Sequence, residues 1–184
     1  MSHYRSENEG DIIAAAIKGE AWAQKAIYDL HAPTMMSVCY RYVSEIETAK
    51  DLLQDGFVRV FSKLNTFAAT GSFEGWLRRV FVTTCLENLR QKNALKMSSS
   101  IDEVMHPVVD QTSDIISNIS ADELMTMIGS LAEGYRTVFN LYVIEGFSHA
   151  EIAHMLGISE VTSRSQFMRA RKLLQEMITD EYGR

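Results

Sequence analysis

Apolar residues recur at helical spacing along two stretches of the chain and lose that spacing between them. From residue 8 to 94 the helical pattern has few breaks. DIIAAAIKGEAWAQKAIYDLHAPTMMSVCYRYV (11–43) predicts two helices, the second carrying Pro33 near its start, where a missing N–H costs little. Next comes ETAKDLLQDGFVRVFSKL (47–64). On a helix, Leu53, Phe57, Val60, Phe61 and Leu64 share one face of this stretch. Asp51, Gln54, Asp55, Val58, Arg59 and Ser62 lie roughly opposite, with Leu52 among them. A loop over 65–71 leads to a helix that Ser72 caps, with Glu74 in its first turn and a stripe of Phe73, Trp76, Leu77, Val80 and Phe81.

Residues 95–119, LKMSSSIDEVMHPVVDQTSDIISNI, have a serine run, a proline and no aromatic residue. They read as a flexible acidic linker and as the domain boundary. The second block, 120–180, opens with SADE, a capping box of Ser120 and Glu123. Its first helix runs to Ala132, with a break at Glu133-Gly134. YRTVFNLYVIE then ends at Gly146, and a second capping box, Ser148 to Glu151, starts HAEIAHML. Gly157 closes that short helix in a left-handed turn, and Ser159 caps a last helix to Thr179. A short helix, a glycine turn and a second helix make a helix-turn-helix, with Ala153 small where the two helices cross. The pattern therefore predicts an all-α protein of two small helical domains, 8–94 and 120–180, joined by 95–119.

Composition agrees. Of 184 residues, 46% are hydrophobic and 23% charged, enough to bury real cores. No stretch approaches the roughly 18 apolar residues of a membrane span, and the N-terminal residues lack a signal-peptide pattern. Cys39 and Cys85 each sit in an apolar helical pattern and read as isolated buried thiols of a reduced cytoplasmic protein.

Charge changes the picture more. The formal net charge of −6 conceals an alternation along the chain. Residues 61–100 hold six basic side chains (Lys63, Arg78, Arg79, Arg90, Lys92, Lys96) against Glu74 and Glu87. Residues 97–135 hold seven acids and no Lys or Arg, whereas 161–175 hold Arg164, Arg169, Arg171 and Lys172 with no acid. Two cationic surfaces are thus separated by an anionic segment.

The last helix turns Ser163, Phe167, Ala170, Leu174 and Met177 inward. Glu160, Val161, Arg164, Ser165, Met168, Arg171 and Lys172 face outward, with Thr162 and Arg169 at the margin. The N-terminal end of the second helix of such a motif meets base edges. Glu160, Val161, Arg164 and Ser165 are therefore the candidate base readers, since an Arg can bridge guanine and a Glu can accept from cytosine. Arg169, Arg171 and Lys172 suit phosphate contacts that fix register. The mixed acid, amide and aliphatic face at 51–59 suits docking to a protein.

Three stretches together resemble the sigma-70 family of bacterial transcription initiation factors, most closely its extracytoplasmic-function (ECF) class. DLLQDG (51–56) is similar to the family's D-L-[ILV]-Q-[DE] motif, which binds the coiled coil of the RNA polymerase β′ clamp. GSFEGWLRRVFVTTCLENLRQKNA (71–94) looks like the part of region 2 that reads the promoter minus-10 element. SLAEGYRTVFNLYVIEGFSHAEIAHMLGISEVTSRSQFMRARKLL (130–174) looks like region 4, which reads the minus-35 element. No separate region 1.1 or region 3 is evident, as in the ECF class. The resemblance implies a sigma factor that binds core RNA polymerase and directs promoter recognition, melting and initiation. Asp51, Leu52, Gln54, Asp55, Val58 and Arg59 would then dock on β′. Asn65 and Phe67, in a loop holding an unstacked base, would meet minus-10 DNA together with Arg78, Arg79, Thr83, Asn88, Arg90 and Lys92. Ser159, Glu160, Val161, Thr162, Arg164, Ser165, Met168, Arg169, Arg171 and Lys172 would meet the minus-35 duplex. The implied partners are core polymerase (β′ clamp coiled coil and β flap), promoter DNA in duplex and single-stranded form, and a membrane-anchored anti-sigma factor. No cofactor, metal or small-molecule substrate is implied.

Two departures from the family stand out. Many members have Gly-Thr-Val where this chain has Val161-Thr162-Ser163, which puts minus-35 base choice in question. The tryptophan pair that helps primary sigma factors melt DNA is replaced by Arg79-Val80. An enzyme is disfavoured, because no phosphate-binding glycine loop, nucleophile elbow or metal-spaced cluster is present, and His149 and His154 point to different faces. The alternative is a stand-alone helix-turn-helix regulator that binds an operator without polymerase; it leaves DLLQDG and the basic helix at 72–94 without a use.

Overall fold

The computed structural model describes residues 8–96 and 120–182, and every regular element among them is helical. Helices α1 (Glu9–Ile17), α2 (Ala21–Val43), α3 (Ile46–Lys63) and α4 (Phe73–Lys96) precede α5 (Ala121–Ser130), α6 (Glu133–Phe139), α7 (His149–Leu156) and α8 (Glu160–Tyr182). The chain divides between Leu89 and Arg90 into two compact units. α4 continues to Lys96, two residues into the expected linker; the rest of that segment lies outside the described residues.

In the first unit the break between the first two helices falls at Gly19 rather than ahead of Pro33. Gly19 adopts φ +83°, a left-handed conformation that glycine enters without penalty, and its N–H caps Ala16 O at 3.0 Å. α2 then runs straight through Pro33. Pro33 is exposed, so the carbonyl it leaves without a donor can meet water, while His31, Met35, Val38, Cys39 and Tyr42 on the other face are buried. Burial of that face outweighs the local preference.

α3 packs differently from its expected stripe. Its buried residues are Ala49, Leu52, Gly56, Phe57 and Val60, whereas Leu53 and Phe61 are only half-buried. The cause is Gly56. A Cβ built there would lie 2.1 Å from Cε1 of Phe81, so the bare glycine lets the α4 ring press onto the α3 backbone. Phe57 meets the same ring edge-on at 5.2 Å and Tyr28 at 4.7 Å. That close approach draws the Leu52–Gly56–Val60 row inward.

In the second unit both predicted capping boxes form. Ser120 Oγ accepts from the Glu123 N–H at 3.2 Å and the Glu123 carboxylate accepts from the Ser120 N–H at 2.9 Å; Ser148 and Glu151 do the same at 3.3 and 2.8 Å. The break after α5 falls at Leu131-Ala132, just before the expected one. Arg136 accounts for it: buried, it donates Nη1 to the carbonyls of Gly129 (2.8 Å) and Leu131 (3.1 Å), closing the α5 terminus from within α6. Met127, Ile128, Leu131, Ala170 and Leu174 form the core here. A π-helical turn, Asn140–Ile144, and Gly146 at φ +77° lead into α7, and Gly157 at φ +69° turns the chain into α8.

Candidate nucleic-acid interface

On α3, Asp51, Gln54, Asp55 and Val58 all reach solvent, Val58 at 69% exposure. Leu52 does not. It is 2% exposed and belongs to the core, so its expected place on a docking surface is corrected. Arg59 is half-exposed and pairs through Nη1 with Oε2 of Glu87 on α4.

Asn65 is exposed in the 3-10 turn Leu64–Thr66 that follows α3. Phe67 is half-buried, 5.2 Å from the Phe73 ring and 5.7 Å from Trp76, which itself stacks on Phe73. These three rings close the start of α4. Ser72 caps the helix by accepting from the Gly75 N–H at 3.0 Å. Along α4, Arg79, Thr83 and Arg90 are exposed in one row, and the Thr83 hydroxyl donates back to Arg79 O at 2.8 Å. Arg78 and Lys92 are half-buried beside that row. Asn88 is half-buried too, and its carboxamide oxygen is turned inward without a hydrogen-bond partner. Behind the row, Cys85 lies against Cys39 of α2, both buried as free thiols. That contact and burial push the Cys85 thiol up, which keeps it protonated. The two cysteines are therefore neighbours rather than isolated.

The start of α8 is organised by its own side chains. Ser159 Oγ accepts from the Thr162 N–H at 3.0 Å and lies 2.8 Å from the Thr162 hydroxyl. Both residues are thereby committed to the helix terminus. Glu160 and Arg164 form an ion pair one turn apart on the exposed face. Between them Val161 is 76% exposed, and Met168, two turns on, is 40% exposed. Ser165 donates to Thr162 O at 2.9 Å. Arg169 is folded back: Nη1 donates to the Tyr135 hydroxyl at 3.1 Å and its guanidinium lies 6.0 Å from that ring. Arg171 and Lys172 are half-buried, and Lys172 lies 3.7 Å from Glu176.

Sequence reasoning missed the tie between α7 and α8. His149 is buried, its Nδ1 lies 2.9 Å from the Ser163 hydroxyl, and Tyr142 stacks on its ring at 4.3 Å. Burial, and after it the Arg164 charge, pulls the imidazole below its usual value, with Glu160 pulling the other way. His154, by contrast, is exposed. Among the described residues, no group of three or more His, Cys, Asp or Glu is placed to hold a metal, and no helix is long and apolar enough to cross a membrane.

Two helical units are thus present, each with basic side chains exposed on a long helix, and the second contains a helix-turn-helix. Comparison with known proteins gives the family. Sigma-70 region 2 matches residues 27–94, and Sigma-70, region 4 matches 121–174. The ECF RNA polymerase sigma factor SigE of Mycolicibacterium smegmatis is 31% identical over 152 residues, which cover 80% of this chain and 58% of that protein. SigM of Mycobacterium tuberculosis is 27% identical over 176 residues, covering 96% of this chain and 86% of the relative. The fold of sigma factor RpoE from Bartonella quintana, solved in complex with the anti-sigma factor NepR, is similar at a TM-score of 0.50 and 22% identity, over 84% of this chain and 96% of that one. The chain belongs to the sigma-70 family, in its ECF class. The match to region 2 also gives the first unit a use that an operator-binding regulator lacks.

Proposed function

We propose that this protein binds core RNA polymerase and directs promoter recognition, melting and transcription initiation as an ECF-type sigma factor. In this reading residues 8–94 dock on polymerase and engage the minus-10 element, 95–119 connect, and 120–180 engage the minus-35 duplex. Asp51, Gln54, Asp55 and Val58 form the surface for the β′ clamp. Arg79, Thr83 and Arg90, flanked by Arg78 and Lys92, meet the minus-10 strand, and Val161, Arg164, Ser165 and Met168 read the minus-35 bases. The observation that carries the reading is Val58, an aliphatic side chain at 69% exposure amid Asp51, Gln54 and Asp55, on a surface no core needs. A mixed surface of that kind suits a protein partner better than solvent. A protein of similar fold was solved in complex with an anti-sigma factor; an anti-sigma factor that covers these surfaces is the expected regulator here, and the cytoplasm the expected site of action.

The test is promoter DNA with the purified protein, with and without bacterial core RNA polymerase. Specific open complexes with core, and negligible specific duplex binding without it, are expected. Tight operator binding by the protein alone, with no transcription when core is added, would establish the stand-alone regulator instead.

A further inference from the structure

The exposed row of α4 contains one acid. Trp76, Arg79, Thr83, Glu87 and Arg90 follow one another at steps of three and four, so Glu87 sits between a hydroxyl and the second of two exposed arginines. A bare carboxylate there repels any phosphate backbone that follows the row. Its charge is met from another helix: Arg59 of α3, 28 residues earlier, pairs with Glu87, and the two side chains are 36% and 41% exposed. The spacing between the two helices is set by Gly56 against Phe81. Arg59 therefore reaches Glu87 from a fixed base, one turn along α3 from Asp55.

We infer that Arg59 is a positioning residue of the minus-10 interface and not part of the polymerase-docking surface: it neutralises Glu87 and so keeps the Arg79–Arg90 row attractive to a nucleic-acid strand. The inference rests on the proposed function and gives Arg59 a different role within it.

The test compares wild type with Arg59→Ala, Arg59→Lys, Glu87→Gln and the double variant Arg59→Ala/Glu87→Gln. Affinity for core polymerase and occupancy of a promoter by the holoenzyme are measured over a salt series. All five proteins are expected to bind core within about twofold of one another. Arg59→Ala lowers promoter occupancy about tenfold and makes its salt dependence shallower by about one charge. Removing the uncovered carboxylate in the double variant restores both, and Arg59→Lys, which keeps the charge, stays near wild type. Loss of core binding in Arg59→Ala, unrepaired by Glu87→Gln, would overturn the inference and return Arg59 to the docking surface. So would a double variant as defective on promoter as Arg59→Ala, which would make the pair a mere brace. Wild-type protein that binds core but forms no promoter complex would remove the functional reading and the inference together.

Discussion

The two cationic helices hold their charges in different ways. On α8 the outward side chains are mostly engaged within their own unit: Glu160 with Arg164, Ser159 with Thr162, Lys172 with Glu176, Arg169 with Tyr135. Val161 and Met168 stand out as the apolar exceptions. On α4 the exposed arginines flank a carboxylate whose countercharge comes from α3. A helix that must match the fixed edges of duplex bases gains from side chains held in place beforehand. A helix that meets a strand being pulled out of its duplex needs an attractive field along its length, and the geometry of each contact matters less.

The sharpest way to break this comparison is at the base on which α4 rests. Leu52→Ala is expected to cost the first unit about 2–5 kcal/mol, the range for a buried leucine. Gly56→Ala is expected to cost about 1–3 kcal/mol, because its methyl would enter the Phe81 ring. Both tryptophans, Trp22 and Trp76, lie in the first unit, so a urea titration followed by tryptophan fluorescence isolates that loss. An unaltered midpoint for Leu52→Ala would put this leucine back on the surface.

Next in size is the docking face. The pair Asp51→Lys and Asp55→Lys is expected to weaken core binding by about 2–5 kcal/mol with the fluorescence midpoint unmoved, since both side chains are exposed. Normal retention on immobilised core would refute their assignment.

A smaller effect sharpens the reading of α8. An exposed valine at the end of α8 proposed to read bases has a natural partner in the C5-methyl of thymine. Replacing individual minus-35 thymines by deoxyuridine is expected to cost wild-type holoenzyme about 1 kcal/mol at one position, the worth of one buried methyl group, and to cost Val161→Ala nothing there. An identical deoxyuridine profile for both proteins would show that Val161 reads no methyl group.

The smallest effect depends on pH. His149 has a lowered pKa in the fold because of burial. Between that value and the ordinary histidine pKa of about 6.5, the unfolded chain takes up a proton that the folded unit refuses. The second unit is thus expected to lose stability as pH falls below about 6.5, and His149→Gln to lose less over the same interval. Amide hydrogen exchange in α7 and α8 at pH 7.5 and 5.5 follows the difference, and equal losses in the two proteins would contradict it.

Features decided within one helical turn were legible from the residues alone. Both capping boxes, the left-handed Gly157, the Ser72 and Ser159 caps and the outward Val161 rest on neighbours at most four residues away. Features decided by distant neighbours were not. Leu52 turns inward because Phe81 finds a glycine at 56. Arg59 pairs with an acid 28 residues on, and Arg169 donates to Tyr135, 34 residues before it. Pro33 looked like a helix start because the strong stop at Gly19 was overlooked, and periodicity cannot report the burial that carries α2 past it. The all-α class and the two-part organisation survived these errors because the apolar periodicity that sets them was read over whole segments.

The buried contact between His149 and Ser163 limits how this helix-turn-helix can evolve. Ser163 is fully buried, and its hydroxyl has the imidazole as its partner. Replacing either residue alone by an apolar one strands a polar group in the interior, whereas replacing both together removes the demand. The two positions change safely only in company. The path from this pair to a wholly apolar contact therefore takes two steps, of which the first is a loss.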